Sequence, residues 1–414
     1  MTSACPFGNP FLHFHIPEAV RLRGLQAADV VIRISEVLIF LRWLQYLVHE
    51  IGFHREHVLI NMDETSLSSC RDMGKGMACR RRHRRVRKPR RARDDVDRSF
   101  VATTYMAAVC DCALLQPLLP QIILAKYSQN QRPPAHLEAE YRSFGFPFEF
   151  WHGSAGRVTP PLFRQFCTRL RQAVGSFNAD AWIVLVIDCS TCHLDLLSVH
   201  HMRRRGILAV FVPAKLTWLL QLLDVFCFKP LKTDFREAQA RSRLRDSTGQ
   251  IRRGQWMTMA TSVIRRQVIN VDWSGCWARM GGGESCDNLT SDVARHVRNT
   301  PIHPALPTLR EFATLIGRPA TTDTTRRLHA SLVGHALAVR RMPPDARPPR
   351  TAAYHLPHAR PASASSSRRV LAEGADFSEV SQRMLQVVED QPVFHHEFGD
   401  ARNWHATAAG PHAD

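Results

Sequence analysis

Residues 181–215 read AWIVLVIDCSTCHLDLLSVHHMRRRGILAVFVPAK. Ala181 to Ile187 is continuously apolar, as expected of a central strand covered on both faces, and Asp188 follows it at once. His193 to Arg205 predicts a helix with Gly206 as its C-cap, and Ile207 to Val212 predicts a second buried strand before Pro213 breaks the chain. A strand–helix–strand unit of this size is a right-handed parallel crossover. The stretch therefore predicts an α/β fold.

Working outward, residues 26–50 keep Val30, Ile34, Val37, Leu41, Leu44 and Val48 at helical spacing, which predicts an amphipathic helix. His57 to Met62 is a short β-branched run ending at Asp63. Ser99–Cys110 and Ala113–Lys126 predict two strands of a hairpin around an Asp-Cys turn. Pro160–Val174 predicts a helix with proline at its start, and Thr217 to about Arg241 returns to helical spacing. Five strands in a mixed sheet result. From 242 to 341 the chain shows helical patches (Met257–Val268, Leu309–Ile316, Arg326–Val339) and a flexible Gly281-Gly282-Gly283. Residues 342–369, rich in Pro, Ala, Ser and Arg, read as linker, with a short helix at 377–388. The expected organisation is an N-terminal segment 1–25, a catalytic domain 26–241, a helical accessory region 242–341, and a disordered linker and tail 342–414.

The chain carries 55 basic against 37 acidic residues, a net charge of +18. That excess favours a polyanionic partner, nucleic acid first, although the arginine-rich, Ala- and Pro-rich composition would also follow from GC-rich coding. Residues 80–93, RRRHRRVRKPRRAR, hold ten of the basic residues: Arg80, Arg81, Arg82, Arg84, Arg85, Arg87, Lys88, Arg90, Arg91 and Arg93. Without them the net charge falls to +8. A block of like charge self-repels and predicts a loosely held loop that contacts phosphates, acts as a nuclear import signal, or is merely solvated. No apolar run reaches the ~20 residues of a membrane span, and the N-terminus lacks a signal-peptide pattern. The eleven cysteines are accordingly expected to be reduced.

Asp63 and Asp188 both end apolar strands, and in open α/β sheets that edge is where ligands bind. Asp224 sits in LLQLLDVFCF, residues 219–228, where a carboxylate among apolar neighbours needs a partner. A helix running through Thr217, Gln221, Asp224 and Phe228 over that edge would bring it to the other two acids. Three converging carboxylates raise one another's pKa unless cations neutralise them, and Mg²⁺ suits such oxygen ligands. On spacing alone, a solvent-facing Asp224 at a helix edge is the reading to beat.

Asn61-Met62-Asp63-Glu64-Thr65 resembles the first-acid motif of the DDE superfamily endonucleases, the transposase domains of the pogo and mariner group. Val186-Ile187-Asp188-Cys189-Ser190-Thr191-Cys192-His193 resembles their second-acid motif. Val212 to Thr217, Leu220 to Val225 and Phe228 to Lys232 resemble the third block. Thirty-five residues separate Asp188 from Asp224, within the family's range. The resemblance implies an RNase H-like fold with a mixed five-stranded sheet, flanking helices and a helical or irregular C-terminal region. It implies Mg²⁺- or Mn²⁺-dependent cleavage and joining of DNA strands, with Asp63, Asp188 and Asp224 as metal ligands, and a nuclear compartment; a homodimer is compatible with it. Glu64 is expected to point away from the pocket, since strand neighbours alternate faces. Cys189 stands where the family has Asn, and Leu222 where it has Pro. No helix-turn-helix module precedes the domain, as in a shortened or domesticated relative.

His193 and Gln221 are candidates to support the metal ligands from behind, and the surface-histidine and backbone-cap readings compete with those roles. Lys229 and Lys232 would meet phosphate or solvent, and Trp182 and Trp218 read as core. Two further function classes stand beside the nuclease: a catalytically silent, transposon-derived DNA-binding protein, and a redox or zinc protein using Cys189 and Cys192.

Overall fold

Six extended runs pair into one mixed sheet in the order β4-β3-β2-β1-β5-β6. The strands are β1 (His57–Ser66), β2 (Thr103–Cys110), β3 (Gln121–Lys126), β4 (Phe148–Gly153), β5 (Trp182–Asp188) and β6 (Ile207–Val212). The computed structural model describes residues 27–52, 55–67, 103–126, 143–245 and 251–349, apart from 146, 154–155, 252, 284–285, 298–299 and 344. The 1–25 segment, the basic tract 80–93 and the tail with the helix expected at 377–388 lie outside the described residues.

β1 is antiparallel to β2 and parallel to β5, so the sheet changes sense at its centre. β5 and β6 are parallel, as the quoted stretch predicts. Every residue of β6 is buried, and so is β5 as far as Ile187, which is why both runs are continuously apolar. The arrangement is the RNase H-like one with a sixth strand, a correction to the expected five. The addition, β4, pairs parallel to β3 from Gln121↔Phe148 to Lys126↔Gly153. It contains Trp151 and His152 in a polar, proline-flanked segment whose alternation is too short to stand out.

The β2–β3 connection is longer than a tight hairpin, with Gln116–Leu118 forming a 3₁₀ turn. Gln116 Oε1 accepts from Cys110 N at 2.8 Å, and Gln121 Nε2 donates to Ala108 O at 2.9 Å, so two buried amides close the loop.

Helix α1 (Ala27–Gln45), continued by a π-helical turn Tyr46–Ile51, is not amphipathic in its C-terminal half. Phe40, Leu41 and Trp43 to Leu47 are all buried. Trp43 lies 6.2 Å from Phe211 of β6 and 6.1 Å from Phe312. Gln45 Nε2 donates to Gly281 O at 2.5 Å and to Gly283 O at 3.3 Å, so two of the three glycines are held by one side chain. Gly281 has φ +84°, and a Cβ there would come within 2.7 Å of Leu41. Glycine serves close approach at this position.

Helices α2 (Pro160–Phe177) and α3 (Leu196–Arg203) flank β5 in sequence. α3 starts three residues later than expected because Asp195 caps it, accepting from Ser198 N at 3.0 Å. The helix is capped by Arg204 and not by Gly206 as expected; Gly206, two residues on, takes φ +65° in the turn that leads into β6, its N–H on Arg203 O at 3.2 Å. After β6 come α4 (Thr217–Leu220), a π-helical turn (Leu223–Cys227), α5 (Phe228–Arg245), α6 (Arg253–Ile264), α7 (Ser274–Arg279), α8 (Ser291–Val297), α9 (Leu309–Leu315) and α10 (Asp323–Arg341). Phe312, Leu328, Ala336 and Val339 join the same core as the sheet. Among the described residues no helix is long and apolar enough to cross a membrane, and the eight cysteines are free.

Arg171 of α2 is buried and donates to Ala181 O at 2.6 Å, Ala179 O at 3.3 Å and Asn178 O at 3.4 Å, tying down the entry to β5. Burial pulls its guanidinium down to about 10. Arg171→Met fills the space but takes the guanidinium from Ala181 O and Ala179 O, while Asn178 O keeps the Ala181 N–H, so it is expected to lower stability by about 2–3 kcal/mol, read by urea denaturation.

Candidate active site

The site forms where the parallel pairing of β1 and β5 stops, although β1 itself runs on to Ser66, so Asp63 lies within the strand and not at its end as expected. Their last paired residues are Asn61 and Val186. Asp63 and Asp188 each lie two residues further on. Side chains alternate along a strand, so both acids share the face of Asn61 and Val186.

The third acid arrives on a broken helix. Thr217 to about Arg241 was expected as one helix, but Gln221 is extended (φ −102°, ψ 115°) between α4 and the π-helical turn. Asn61 makes the break possible. It is fully buried, donates from Nδ2 to Val186 O at 2.9 Å, and accepts at Oδ1 from Leu223 N at 2.9 Å. One side chain thus joins the first-acid strand, the second-acid strand and the residue before Asp224. Gln221, also fully buried, reaches Met62 O at 3.5 Å.

Asp63 feels the charges of both Asp224 and Asp188, and Asp224 that of Asp188. Burial, then the charge of Asp224, then smaller pushes from Asp188 and Glu64 raise Asp63 to about 8, against a hydrogen bond from Glu64 N at 2.7 Å. Burial raises Asp224, helped by the charge of Asp188 and opposed by a hydrogen bond from Thr217 and the charge of Lys232. Asp188 goes the other way. Burial pushes it up, but the hydrogen bond and charge of His193 and the Ser190 N–H prevail, and its carboxyl sits below the usual range. His193 Nδ1 donates to Asp188 Oδ1 at 2.6 Å. Burial pulls the imidazole down, yet hydrogen bonds to Asp188 and Cys192 and the charges of both raise it to about 10. Phe163 of α2 packs on the ring, with centroids 4.4 Å apart.

Glu64 lies on the other face of β1 from Asp63, as alternation places it, but it is not without partners there. Its carboxylate lies 3.9 Å from His193 Nε2 and feels Asp188 as well, with burial as the main cause of a rise to about 7. From there it borders the loop after β5. Cys189 Sγ turns to Val212 O at 3.1 Å and makes no contact with Asp188's carboxylate among its hydrogen bonds. Trp182 is core as expected; Trp218 is not, being 45% exposed with its indole N–H on Lys215 O at 3.1 Å. Arg80 to Arg93 lie outside the described residues. The roles of Asn61 and Glu64 escaped the sequence reading, though an asparagine inside the apolar run His57–Met62 was a visible signal.

Against known proteins, the family model described as DDE superfamily endonuclease matches residues 103–268. The matched segment is thus similar to the DDE superfamily endonucleases. It contains Asp188 and Asp224, while Asp63 precedes it and joins it through the β1–β5 pairing. No curated protein and no solved structure matches the chain. The match and the mixed six-stranded sheet are together consistent with a pogo- or mariner-like transposase catalytic domain.

The electrostatics give a testable pH dependence. Asp63 is raised in the folded state, so the folded protein binds more protons than the unfolded one from about pH 4 to pH 8. Metal-free stability is therefore expected to fall with rising pH across that window. His193, raised from 6.5 to about 10, adds a further fall between those values. Asp63→Asn should remove the first contribution and keep the second, measured as Tm against pH in EDTA. Saturating Mg²⁺ should flatten the wild-type decline, because it binds the charged carboxylates.

Proposed function

We propose that this transposase-derived domain cleaves DNA phosphodiester bonds and transfers strands with Mg²⁺ or Mn²⁺ as cofactor. The observation that supports the reading is the gathering of Asp63, Asp188 and Asp224 about one sheet edge, where burial first and then the charge of Asp224 raise Asp63 to about 8. Such a donor set fits a hard divalent cation, whose charge would relieve the repulsion among the acids. Asp63, Asp188 and Asp224 would hold the metal. Bound there, it would supply a more acidic nucleophile and stabilise the leaving oxygen.

The chain's own residues do the positioning. Asn61 fixes the register between the three acid-bearing segments. His193 holds one oxygen of Asp188 and leaves the other to face the ligand. Lys232, whose charge is felt at Asp224, is placed to meet a phosphate near the cut. The net charge of +18, concentrated in residues 80–93, supports phosphate contacts that give affinity without sequence information, and the same tract supports entry into the nucleus.

A second reading, a silent DNA-binding protein, has one observation in its favour: Cys189, where the family has Asn, spends its polar atom on β6 rather than beside Asp188. Incubation of the full chain with supercoiled plasmid in Mg²⁺, Mn²⁺ or EDTA separates the two. Metal-dependent open circles support the nuclease. Plasmid binding with a steep salt dependence and no open circles in either metal supports the silent protein.

A further inference from the structure

We propose that Glu64, Cys192 and His193 form a binding site for a thiophilic divalent cation, with zinc the best match, beside the three-acid edge. This goes beyond the nuclease reading and does not depend on it. One ligand atom from each residue, His193 nitrogen, Cys192 Sγ and a Glu64 oxygen, lies within 4.8 Å of the other two.

The independent observation is His193 itself. It is 2% exposed, and its Nε2 is buried without a hydrogen-bond partner. Leaving such an atom unpaired costs about 1–3 kcal/mol, and Glu64 Oε1 at 3.9 Å is beyond hydrogen-bond reach. The other ring nitrogen is saturated: Nδ1 lies 2.6 Å from Asp188 Oδ1, 2.8 Å from Ser190 Oγ and 3.2 Å from Asp188 O. A carboxylate on one imidazole nitrogen with the other left for a metal is the arrangement that orients histidine ligands. Ser190 Oγ lies 3.0 Å from Cys192 Sγ, so its hydroxyl can donate to a thiolate there.

Ligand chemistry selects the ion. A thiolate and an imidazole favour zinc over magnesium, which seeks oxygen. Three protein ligands leave one of zinc's four positions open to solvent. Cys189, the partner expected for Cys192, is absent from the group, because its sulfur faces β6. Binding displaces the Cys192 thiol proton and any proton on Nε2, so affinity rises with pH.

The test uses the EDTA-treated full chain titrated with Co²⁺, a spectroscopic substitute for zinc. One equivalent should produce a thiolate-to-cobalt charge-transfer band that one equivalent of Zn²⁺ abolishes. Cys192→Ser and His193→Gln should lose the band, and Cys286→Ser should retain it. Asp188→Asn should keep it with affinity weakened about 10–100-fold, the usual effect of losing a histidine's outer partner. Asp224→Ala should keep it unchanged, whatever becomes of plasmid nicking, so the two proposals fail separately. Circular dichroism of each variant checks the fold, and proton release on zinc addition gives a readout in the wild type alone. Absence of the band in the wild type, or its persistence in Cys192→Ser, overturns the site.

Discussion

Asp188→Ala and Asp224→Ala are each expected to slow Mg²⁺-dependent plasmid nicking by at least about a thousandfold, roughly 4 kcal/mol of barrier. Each removes one of three carboxylates that together would bind the cation. Their effects on stability should differ, which distinguishes lost chemistry from lost fold. Asp188 is the partner of a buried imidazolium, so Asp188→Ala strands His193 and should lower Tm. Asp224 pushes Asp63 upward, so Asp224→Ala relieves repulsion and should raise the Tm of metal-free protein at pH 8. A more stable protein with no nicking is the pattern of a site that trades stability for activity. Nicking retained within tenfold by both variants would remove these acids from the reaction.

The second large effect is expected at Asn61. Asn61→Leu keeps the volume but leaves Val186 O and Leu223 N buried and unpaired. The cost is about 2–5 kcal/mol for two orphaned groups, or roughly 5–15 °C in Tm for a domain of this size. Asn61→Asp should be worse, because it keeps the acceptor for Leu223, loses the donor for Val186 and buries a charge. Nicking by Asn61→Leu at temperatures well below its Tm should still fall, since the residue before Asp224 is no longer anchored to β1. Wild-type rates in a variant of lowered Tm would make Asn61 a packing residue alone.

The crossover from Trp182 to Val212 was legible because buried parallel strands write themselves as unbroken apolar runs. The acids were legible because each ends such a run or interrupts one. β4 was not, since six residues at a sheet edge carry little periodicity. Nor was the break at Gln221: Leu219 to Leu223 has helical composition, and only the tertiary bonds from Asn61 and to Met62 pull it extended. Alternation placed Glu64 opposite Asp63 correctly, but the loop after β5 curls His193 to that side, which no local pattern records.

The central place of β1 has a consequence for synthesis. Its parallel partner starts with Trp182, more than a hundred residues later, and Asp224 comes later still. At about 5–20 residues per second on the ribosome, β1 waits roughly 6–25 s with one hydrogen-bonding edge open. A nascent chain thus lacks the three-acid edge until its middle has emerged, and during that interval chaperones have an unpaired strand to shield.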